Sequence, residues 1–134
     1  MATSPSSVTR SVLDASAVVR ALVDRSAVAQ AWLRTRVAWP TLVYVEVAHT
    51  VLRLHRNRIA RLDEALRVLD VLKSVTADAR PVELLVRDAW GLALVRNLTV
   101  YDACYVVLAE GLGVPLVTAD RRLAAATENA VILD

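Results

Sequence analysis

The stretch Ser11–Val19, SVLDASAVV, decides the fold of this chain. A short apolar run ends at Asp14, and a segment with helical periodicity begins at the next residue, which predicts a buried strand that leads directly into a helix. A carboxylate then lies at the carboxyl end of the strand. Because ligands and chemistry collect at that edge of open α/β sheets, we expect Asp14 to belong to a functional site.

Short apolar segments alternate with helical segments along the rest of the chain. The pattern predicts strands at 8–13, 37–39, 80–82, 116–118 and 130–133, and helices at 15–23, 26–36, 41–58, 63–76, 83–96, 99–111 and 120–127. This alternation indicates a three-layer α/β/α sandwich with a five-stranded, mostly parallel, Rossmann-like sheet. At 134 residues the chain has the length of one domain, so we expect a disordered leader over 1–7 and a single domain over 8–134.

The composition excludes several classes of protein. Hydrophobic residues make up 56% of the chain and the mean hydropathy is +0.44, but charges interrupt every apolar run before the ~18–20 residues that span a bilayer. We therefore expect no membrane association and assign the apolar excess to a second subunit or a partner protein. The N-terminus lacks the apolar core of a secretory signal, and the single cysteine, Cys104, excludes an intrachain disulfide. A cytoplasmic location is the expectation.

Three more carboxylates are predicted at the same edge of the sheet as Asp14. Asp120 follows the fourth strand, and Glu46 and Asp102 lie on helices that begin there. Simpler interpretations remain open: the three aspartates are also suited to capping helices. Glu46 is also suited to a salt bridge, since it shares its helix side with an apolar stripe: Leu42, Val45, Ala48, His49 and Leu52. If strands one and four are neighbours, all four carboxylates converge.

Converging carboxylates without paired lysines repel one another, and a divalent cation relieves that repulsion. Ligation by oxygen alone indicates Mg²⁺ or Mn²⁺ rather than Zn²⁺. Such ions activate water and stabilise the leaving oxygen when a phosphodiester is cleaved. We therefore predict four carboxylates as metal ligands and catalytic residues, one of which also accepts the proton from water: Asp14, Glu46, Asp102 and Asp120. Ser16 and Thr118 are the candidate hydroxyls that orient them or hold water.

Four segments resemble the signature segments of PIN-domain nucleases: VLDASA at 12–17, the helix with Glu46 after Pro40, LTVYDACYVVLAE at 98–110, and LVTADRRL at 116–123. Their spacing is similar to that of the toxin half of VapBC-type toxin–antitoxin pairs. The resemblance implies a PIN-like fold, an endoribonuclease dependent on Mg²⁺ or Mn²⁺, a homodimer, and inhibition by a cognate antitoxin. It implies the same four acids as the site, and products with a 5′-phosphate and a 3′-hydroxyl. Asn97 departs from the glycine of many relatives.

Arginine dominates the basic residues: of 16, only Lys73 is a lysine. The planar guanidinium suits phosphate, although an arginine-rich codon usage explains the same bias. Arg121 and Arg122, next to Asp120, are the preferred candidates for RNA contact. Six further arginines are candidates for phosphate contact or form a solvated face: Arg34, Arg36, Arg53, Arg56, Arg58 and Arg61.

Other notable side chains are assigned to packing. Tyr101, Tyr105 and Cys104 are expected in the core. The three tryptophans favour core or interface packing over stacking on bases: Trp32, Trp39 and Trp90. Two non-catalytic alternatives stay open for the whole chain. One is a receiver-like signalling module, although members of that class have an Asp after the third strand and a lysine after the last strand. The other is a degenerate PIN fold that only binds a partner.

Overall fold

A computed structural model describes residues 8–134, so the leader expected over 1–7 lies outside the described residues. The five strands are β1 (Ser11–Leu13), β2 (Val37–Pro40), β3 (Asp78–Arg80), β4 (Leu116–Thr118) and β5 (Ala130–Ile132). They form one sheet in the order β3-β2-β1-β4-β5, and every neighbouring pair is parallel. The predicted five-stranded parallel sheet is confirmed.

In the described part of the chain, seven α-helices cover the sheet: α1 (Ala15–Leu22), α2 (Ala27–Leu33), α3 (Leu42–Arg56), α4 (Leu62–Ser74), α5 (Val86–Arg96), α6 (Val100–Leu112) and α7 (Arg121–Ala125). The chain moves outward from β1 to β3 and then returns to β4 on the far side of β1. Because parallel crossovers are right-handed, this reversal places α1–α4 and α5–α6 on opposite faces. α6 packs on β1 and β2, and α1 packs against α2, α3 and α4. The three-layer prediction is therefore confirmed.

β1 is the central strand, and its residues are buried on both faces. Val12 and Leu13 are completely inaccessible to solvent, which explains why the strand reads as a continuous apolar run instead of an alternating one. β1 pairs with β4 through Val12 opposite Leu116. The strand order reverses between these two strands, so the condition for convergence of the predicted acids is met.

The third strand begins two residues earlier than the sequence pattern indicates, at Asp78–Arg80 instead of 80–82. Pro81 has no N–H to donate to a ladder, so the strand ends before it. A 3-10 turn over Val82–Leu84 follows, and the next helix begins at Val86, three residues later than predicted. Aspartate is unfavourable in strands, so β-strand propensity does not indicate that this strand begins at Asp78.

The aromatic residues divide between core and surface. Trp39 and Tyr105 are fully buried and Cys104 is 2% exposed, as predicted. The expectation that Tyr101 lies in the core is wrong, because its side chain is 63% exposed. This residue lies in the first turn of α6, where the helix begins beyond the ends of the strands. Trp90 on α5 is 61% exposed, so it is not a core residue, and its packing at an interface stays a prediction.

Within residues 8–134, no single helix is both long and apolar enough to cross a membrane. Only α5 and α6 taken together reach that length and composition, and they meet at a bend of 107°. The cytoplasmic location expected from the sequence stays a prediction.

Candidate active site

Asp14 lies where β1 ends and is the N-cap residue of α1. Its side chain is 5% exposed. Oδ1 accepts hydrogen bonds from the Ala17 backbone N–H at 2.9 Å and from the Ser16 hydroxyl at 2.7 Å, and Oδ2 accepts one from the Thr118 hydroxyl at 2.6 Å. The capping interpretation is therefore correct, but capping uses only one of three bonds. The carboxylate is held rigidly, with acceptor capacity left on Oδ2.

Ser16 and Thr118 join the beginning of α1 to the end of β4. Their hydroxyl oxygens are 3.2 Å apart. Ser16 Oγ accepts a hydrogen bond from the Ala119 N–H at 2.9 Å, and Thr118 Oγ1 accepts one from the Asp120 N–H at 3.0 Å. The structure thus places both predicted hydroxyls against Asp14, where they fix its orientation. Their role in catalysis stays a prediction.

Glu46 lies in the second turn of α3 and is bound by a tyrosine. The Tyr105 hydroxyl on α6 donates to Glu46 Oε1 at 2.5 Å, and Glu46 forms no salt bridge among the described residues. The salt-bridge alternative is therefore wrong for this residue. Sequence analysis assigned Tyr105 to the core alone; its position three residues after Asp102, on the same helix side, was the signal for a role beside the acids.

The apolar stripe expected around Glu46 is not the buried side of α3. The buried residues are Val43, Val47 and Val51, whereas Val45 is 69% exposed and Leu52 42% exposed. Three residues of the stripe and Glu46 itself line an open groove of about 480 Å³. Apart from Glu46, its lining residues are Ala15, Leu42, Val45, His49, Thr50 and Tyr101. Glu46 therefore faces an accessible space and not the core.

Asp102 lies in the first turn of α6, three residues after the N-cap Thr99. Its backbone N–H donates to Thr99 Oγ1 at 3.0 Å, so the capping geometry predicted for this turn is present. The carboxylate makes only a loose ion pair, 3.9 Å from Arg122 Nη2. Asp102 is therefore the least tethered of the acids near Asp14, since its oxygens are free of strong hydrogen bonds.

Asp120 is the N-cap residue of α7. Its Oδ1 accepts hydrogen bonds from the N–H groups of Arg122 at 2.9 Å and Leu123 at 3.1 Å. Among the other acids it acts electrostatically on Asp102, whose pKa it raises. The charge of Asp102 thus acts on Asp14 and Glu46, and the charge of Asp120 acts on Asp102. Asp120 is also joined to Asp14 through Thr118, whose hydroxyl accepts from the Asp120 N–H and donates to Asp14.

The carboxylates perturb one another's ionisation. Burial is the main cause that raises the pKa of Asp14, and the charge of Asp102 adds to it, against the hydrogen bonds from Thr118, Ser16 and Ala17. Burial also raises the pKa of Glu46, with contributions from Asp102 and Asp14. The pKa of Asp102 is raised by burial and then by Asp120. Among residues 8–134 the only ion pair with these carboxylates is the loose one between Arg122 and Asp102, so the site concentrates negative charge that is only partly neutralised.

The donor set fits a hard divalent cation. Oδ2 of Asp14, Oε2 of Glu46 and both oxygens of Asp102 retain lone pairs, and oxygen is the ligand that Mg²⁺ and Mn²⁺ prefer. As they stand, no three acidic, histidine or cysteine side chains within residues 8–134 are arranged to hold an ion. Since hydrogen bonds hold Asp14 and Glu46 in place, a bound ion would have to draw the freer Asp102 side chain toward them.

The arginines predicted to contact RNA lie at the surface. The side chains of Arg121 and Arg122 are 76% and 75% exposed. Arg121 is 3.4 Å from Asp134, a loose surface pair. The six arginines near the ends of α3 are all exposed. Both groups are accessible to a phosphate backbone, and their role stays a prediction.

The PIN-domain sequence profile matches residues 11–129, a range that contains all four predicted acids. Ribonuclease VapC3 from Pyrobaculum aerophilum is 39% identical over 85 residues, which cover 62% of this chain and 65% of that protein. VapC ribonuclease Mb0985 from Mycobacterium bovis is 38% identical over 113 residues, which cover 84% of this chain and 87% of that protein.

Solved structures show the same architecture. PAE2754 from Pyrobaculum aerophilum has a TM-score of 0.70 at 29% identity, with 92% of this chain and 88% of that chain covered. VapBC2 from Rickettsia felis, crystallised with a DNA fragment from its promoter, has a TM-score of 0.66 at 13% identity, with 94% and 100% covered. At 13% identity, the likeness to VapBC2 concerns the fold alone.

Proposed function

The chain belongs to the PIN-domain family, and on that premise we propose that it is a metal-dependent endoribonuclease that acts as the toxin of a toxin–antitoxin pair. One observation carries the proposal: three carboxylates lie at the edge where β1 and β4 end, where burial, with a smaller contribution from the charge of Asp102, raises the pKa of Asp14 and of Glu46. Among residues 8–134 the one ion pair there, between Arg122 and Asp102, is loose at 3.9 Å, so most of the negative charge is not neutralised. Such unneutralised charge favours a bound cation. The names of the curated relatives, VapC ribonucleases, support RNA as the substrate.

In this proposal Asp14, Glu46 and Asp102 hold Mg²⁺ or Mn²⁺, and Asp120 contributes through Asp102 or through water. The ion, when bound, supplies Lewis-acid stabilisation of the phosphoryl oxygens and lowers the pKa of water. Ser16 and Thr118 keep the Asp14 carboxylate in one orientation. Tyr105 does the same for Glu46, so two of the three ligands are positioned before substrate arrives.

The reaction is the hydrolysis of one RNA phosphodiester. Water attacks phosphorus, the bond to the 3′-oxygen breaks, and the products carry a 5′-phosphate and a 3′-hydroxyl. The proton from water passes to a carboxylate with a free oxygen, Glu46 or Asp102, and the 3′-oxygen is protonated by solvent. The groove beside Glu46 leaves room for the strand, and Arg121 and Arg122 lie next in sequence to Asp120 for phosphate contact.

Two protein partners complete the proposal. Val86, Trp90 and Leu94 recur every four residues on α5 and are 44%, 61% and 71% exposed. This apolar side of the helix, here called the α5 face, is suited to the homodimer. The second partner is an antitoxin, which is sought in the reading frame next to that of this chain and tested by co-purification.

Incubation of the purified chain with structured RNAs tests the activity. We expect cleavage with Mg²⁺ or Mn²⁺ and none with a chelator. Asp14→Asn retains an N-cap residue and Asp102→Ala leaves Thr99 as the cap, so both variants are expected to fold but not to cleave. Asp63→Asn, which removes an exposed acid paired with Arg61, is the control. Cleavage by both site variants contradicts the assignment, and no cleavage by the wild type in any metal favours the binding-only alternative.

A further inference from the structure

A second candidate site lies where α1, α2 and α4 meet. A cavity of about 380 Å³ is lined by three arginines, Arg25, Arg34 and Arg67, together with apolar side chains such as Leu22 and Leu33. No acidic residue lines the cavity. Within residues 8–134, none of these arginines has an acidic partner within salt-bridge distance. Glu64 lines an adjacent cavity that shares Arg25 and Arg67, but three arginines face this pocket, so it carries a net positive charge.

Arg67 is held in place and only partly satisfied. Its Nη2 donates to the carbonyl oxygen of Leu22, the last residue of α1, at 3.0 Å. Its Nε is buried and finds no hydrogen-bond acceptor in residues 8–134. A buried charged donor without an acceptor is unfavourable for folding, so packing alone does not account for a guanidinium here. The contact with Leu22 orients the planar group, as a preformed anion site requires.

Arg25 and Arg34 supply the other two charges from either end of α2. Arg25 has a φ of +54°, in the left-handed region that suits asparagine or glycine better than arginine. Arg34 is the C-cap residue of α2 and is exposed. The three arginines thus come from three separate segments and line one cavity, which distinguishes them from arginines spread over a solvated helix side.

We propose that this arginine pocket binds a backbone phosphate of the RNA substrate, an inference that rests on the proposed function. Arginine forks match phosphate oxygens, and the apolar wall suits a ribose or base. From Asp14 to Leu22 the chain advances about 12 Å along α1, a length of roughly three to four stacked nucleotides at about 3.4 Å each. The phosphate bound here is therefore several nucleotides from the bond that is cleaved.

The test measures binding of a 12-nucleotide single-stranded RNA in chelator over a range of salt concentrations. The pocket variant is Arg25→Asn/Arg34→Gln, in which asparagine tolerates the positive φ. The matched control, Arg10→Gln/Arg87→Gln, removes two exposed arginines that lie outside the pocket. We expect the pocket variant to bind roughly tenfold more weakly at low salt and to lower the salt slope by about 0.7, because contact with one phosphate is lost, and the control to change the slope by less than half of that.

Cleavage assays separate this inference from the proposed function. A trinucleotide does not reach the pocket, so the pocket variant should cleave it like the wild type and show a higher KM only for the 12-mer. If the wild type cleaves the 12-mer and the pocket variant keeps the wild-type slope and KM, the phosphate assignment is overturned and the proposed function stands. Loss of affinity for a protein partner without loss of RNA affinity overturns it too. If the wild type neither binds nor cleaves the 12-mer, both proposals fail.

Discussion

The phenolic hydroxyl of Tyr105 lies 2.5 Å from Oε1 of Glu46 and donates a hydrogen bond to it, so α6 and α3 are joined at the candidate site. Tyr105 is 1% exposed. Burial, and then the charge of Glu46, raises the pKa of the Tyr105 hydroxyl far above its ordinary value, so it stays a donor at every pH at which the protein is folded. The bond fixes one carboxylate oxygen and leaves the other for a ligand.

Tyr105→Phe should therefore slow metal-dependent cleavage about tenfold or more, since removal of a group that orients a ligand typically costs 10–100-fold in metal affinity or activity. Melting temperature should change little, because the ring remains in the core. Tyr44→Phe is the matched control: it removes a hydroxyl bound to Trp39 Nε1 away from the acids. Equal rates for the two variants, measured at saturating and limiting Mg²⁺, argue against a positioning role for Tyr105.

Raised pKa values at the acids predict the pH dependence of stability. The folded chain holds protons on Asp14, Glu46 and Asp102 more tightly than the unfolded chain does. This contribution is present at low pH and is lost as the pH rises from about 4 through the raised pKa values. Without metal, Asp102→Asn should raise the free energy of unfolding at pH 7 by up to about 1 kcal/mol.

That gain should vanish near pH 4 and reverse in sign with Mg²⁺, because ion binding stabilises the wild type more. Denaturant titrations at the two pH values, with chelator and with Mg²⁺, measure it. Asp63→Asn, an exposed acid, should change stability by less than about 0.5 kcal/mol under each condition. If Asp102→Asn lowers the free energy of unfolding in chelator at pH 7, the claim that the acids repel one another is contradicted.

Arg96 and Glu110 form a two-pronged ion pair between α5 and α6, with donor–acceptor distances of 2.7 Å and 2.9 Å. The hydrogen bond from Arg96 is the main cause that lowers the pKa of Glu110. The ion pair thus contributes its full stabilisation above the ordinary glutamate pKa, and this contribution is lost as the pH falls through the lowered pKa of Glu110. Glu110→Gln should destabilise the fold by about 1–2 kcal/mol at pH 7.

Glu128→Gln provides the comparison for that pair. Glu128 lies 3.8 Å from the same arginine with a side chain that is 75% exposed, so its loss should amount to less than about 0.5 kcal/mol. Chemical denaturation at pH 7 and at pH 3 distinguishes the two variants. Equal effects at pH 7, or a difference that widens at pH 3, are incompatible with the account.

The α5 face is proposed as the homodimer contact. Trp90→Glu places a charge at the centre of this face and should convert a dimer into a monomer, as measured by sedimentation at micromolar concentration. Val28→Glu is a matched control on α2, where the replaced side chain is also 61% exposed. A wild-type monomer, or a Trp90→Glu dimer, refutes the assignment of this face.

Much of the fold could be predicted by starting from SVLDASAVV, because buried parallel strands are short apolar runs and helices repeat their apolar residues with a helical period. The same residues placed Asp14 correctly at the end of β1. Tyr101 was misassigned to the core, and Val45 beside Glu46 is exposed, since helical periodicity cannot distinguish an apolar side that faces the sheet from one that lines an open groove. The predicted bounds of β3 were two residues too late, because this edge strand begins with Asp78 and aspartate has a low strand propensity.

The site was predictable as a set of residues but not as a geometry. The sequence pattern placed four acids at one edge; in the structure the charge of Asp102 acts on Asp14 and Glu46, and that of Asp120 acts on Asp102. The pattern could not show that Asp14 and Asp120 also cap helices while Glu46 is bound by a tyrosine. Tyr105 was missed as the partner of Glu46 because the two residues are 59 positions apart. Contacts between distant segments depend on how α3 and α6 pack, and no local pattern encodes that packing.

Calorimetric titration of Mn²⁺ into the RNA-free protein tests the central claim most directly. The account predicts one saturable binding event that weakens at least about tenfold in each of Asp14→Asn, Glu46→Gln and Asp102→Asn. Glu128→Gln, an acid remote from the site, should bind like the wild type. Wild-type affinity in all three site variants, or no binding by the wild type at millimolar Mn²⁺, would contradict the claim that these carboxylates share a cation.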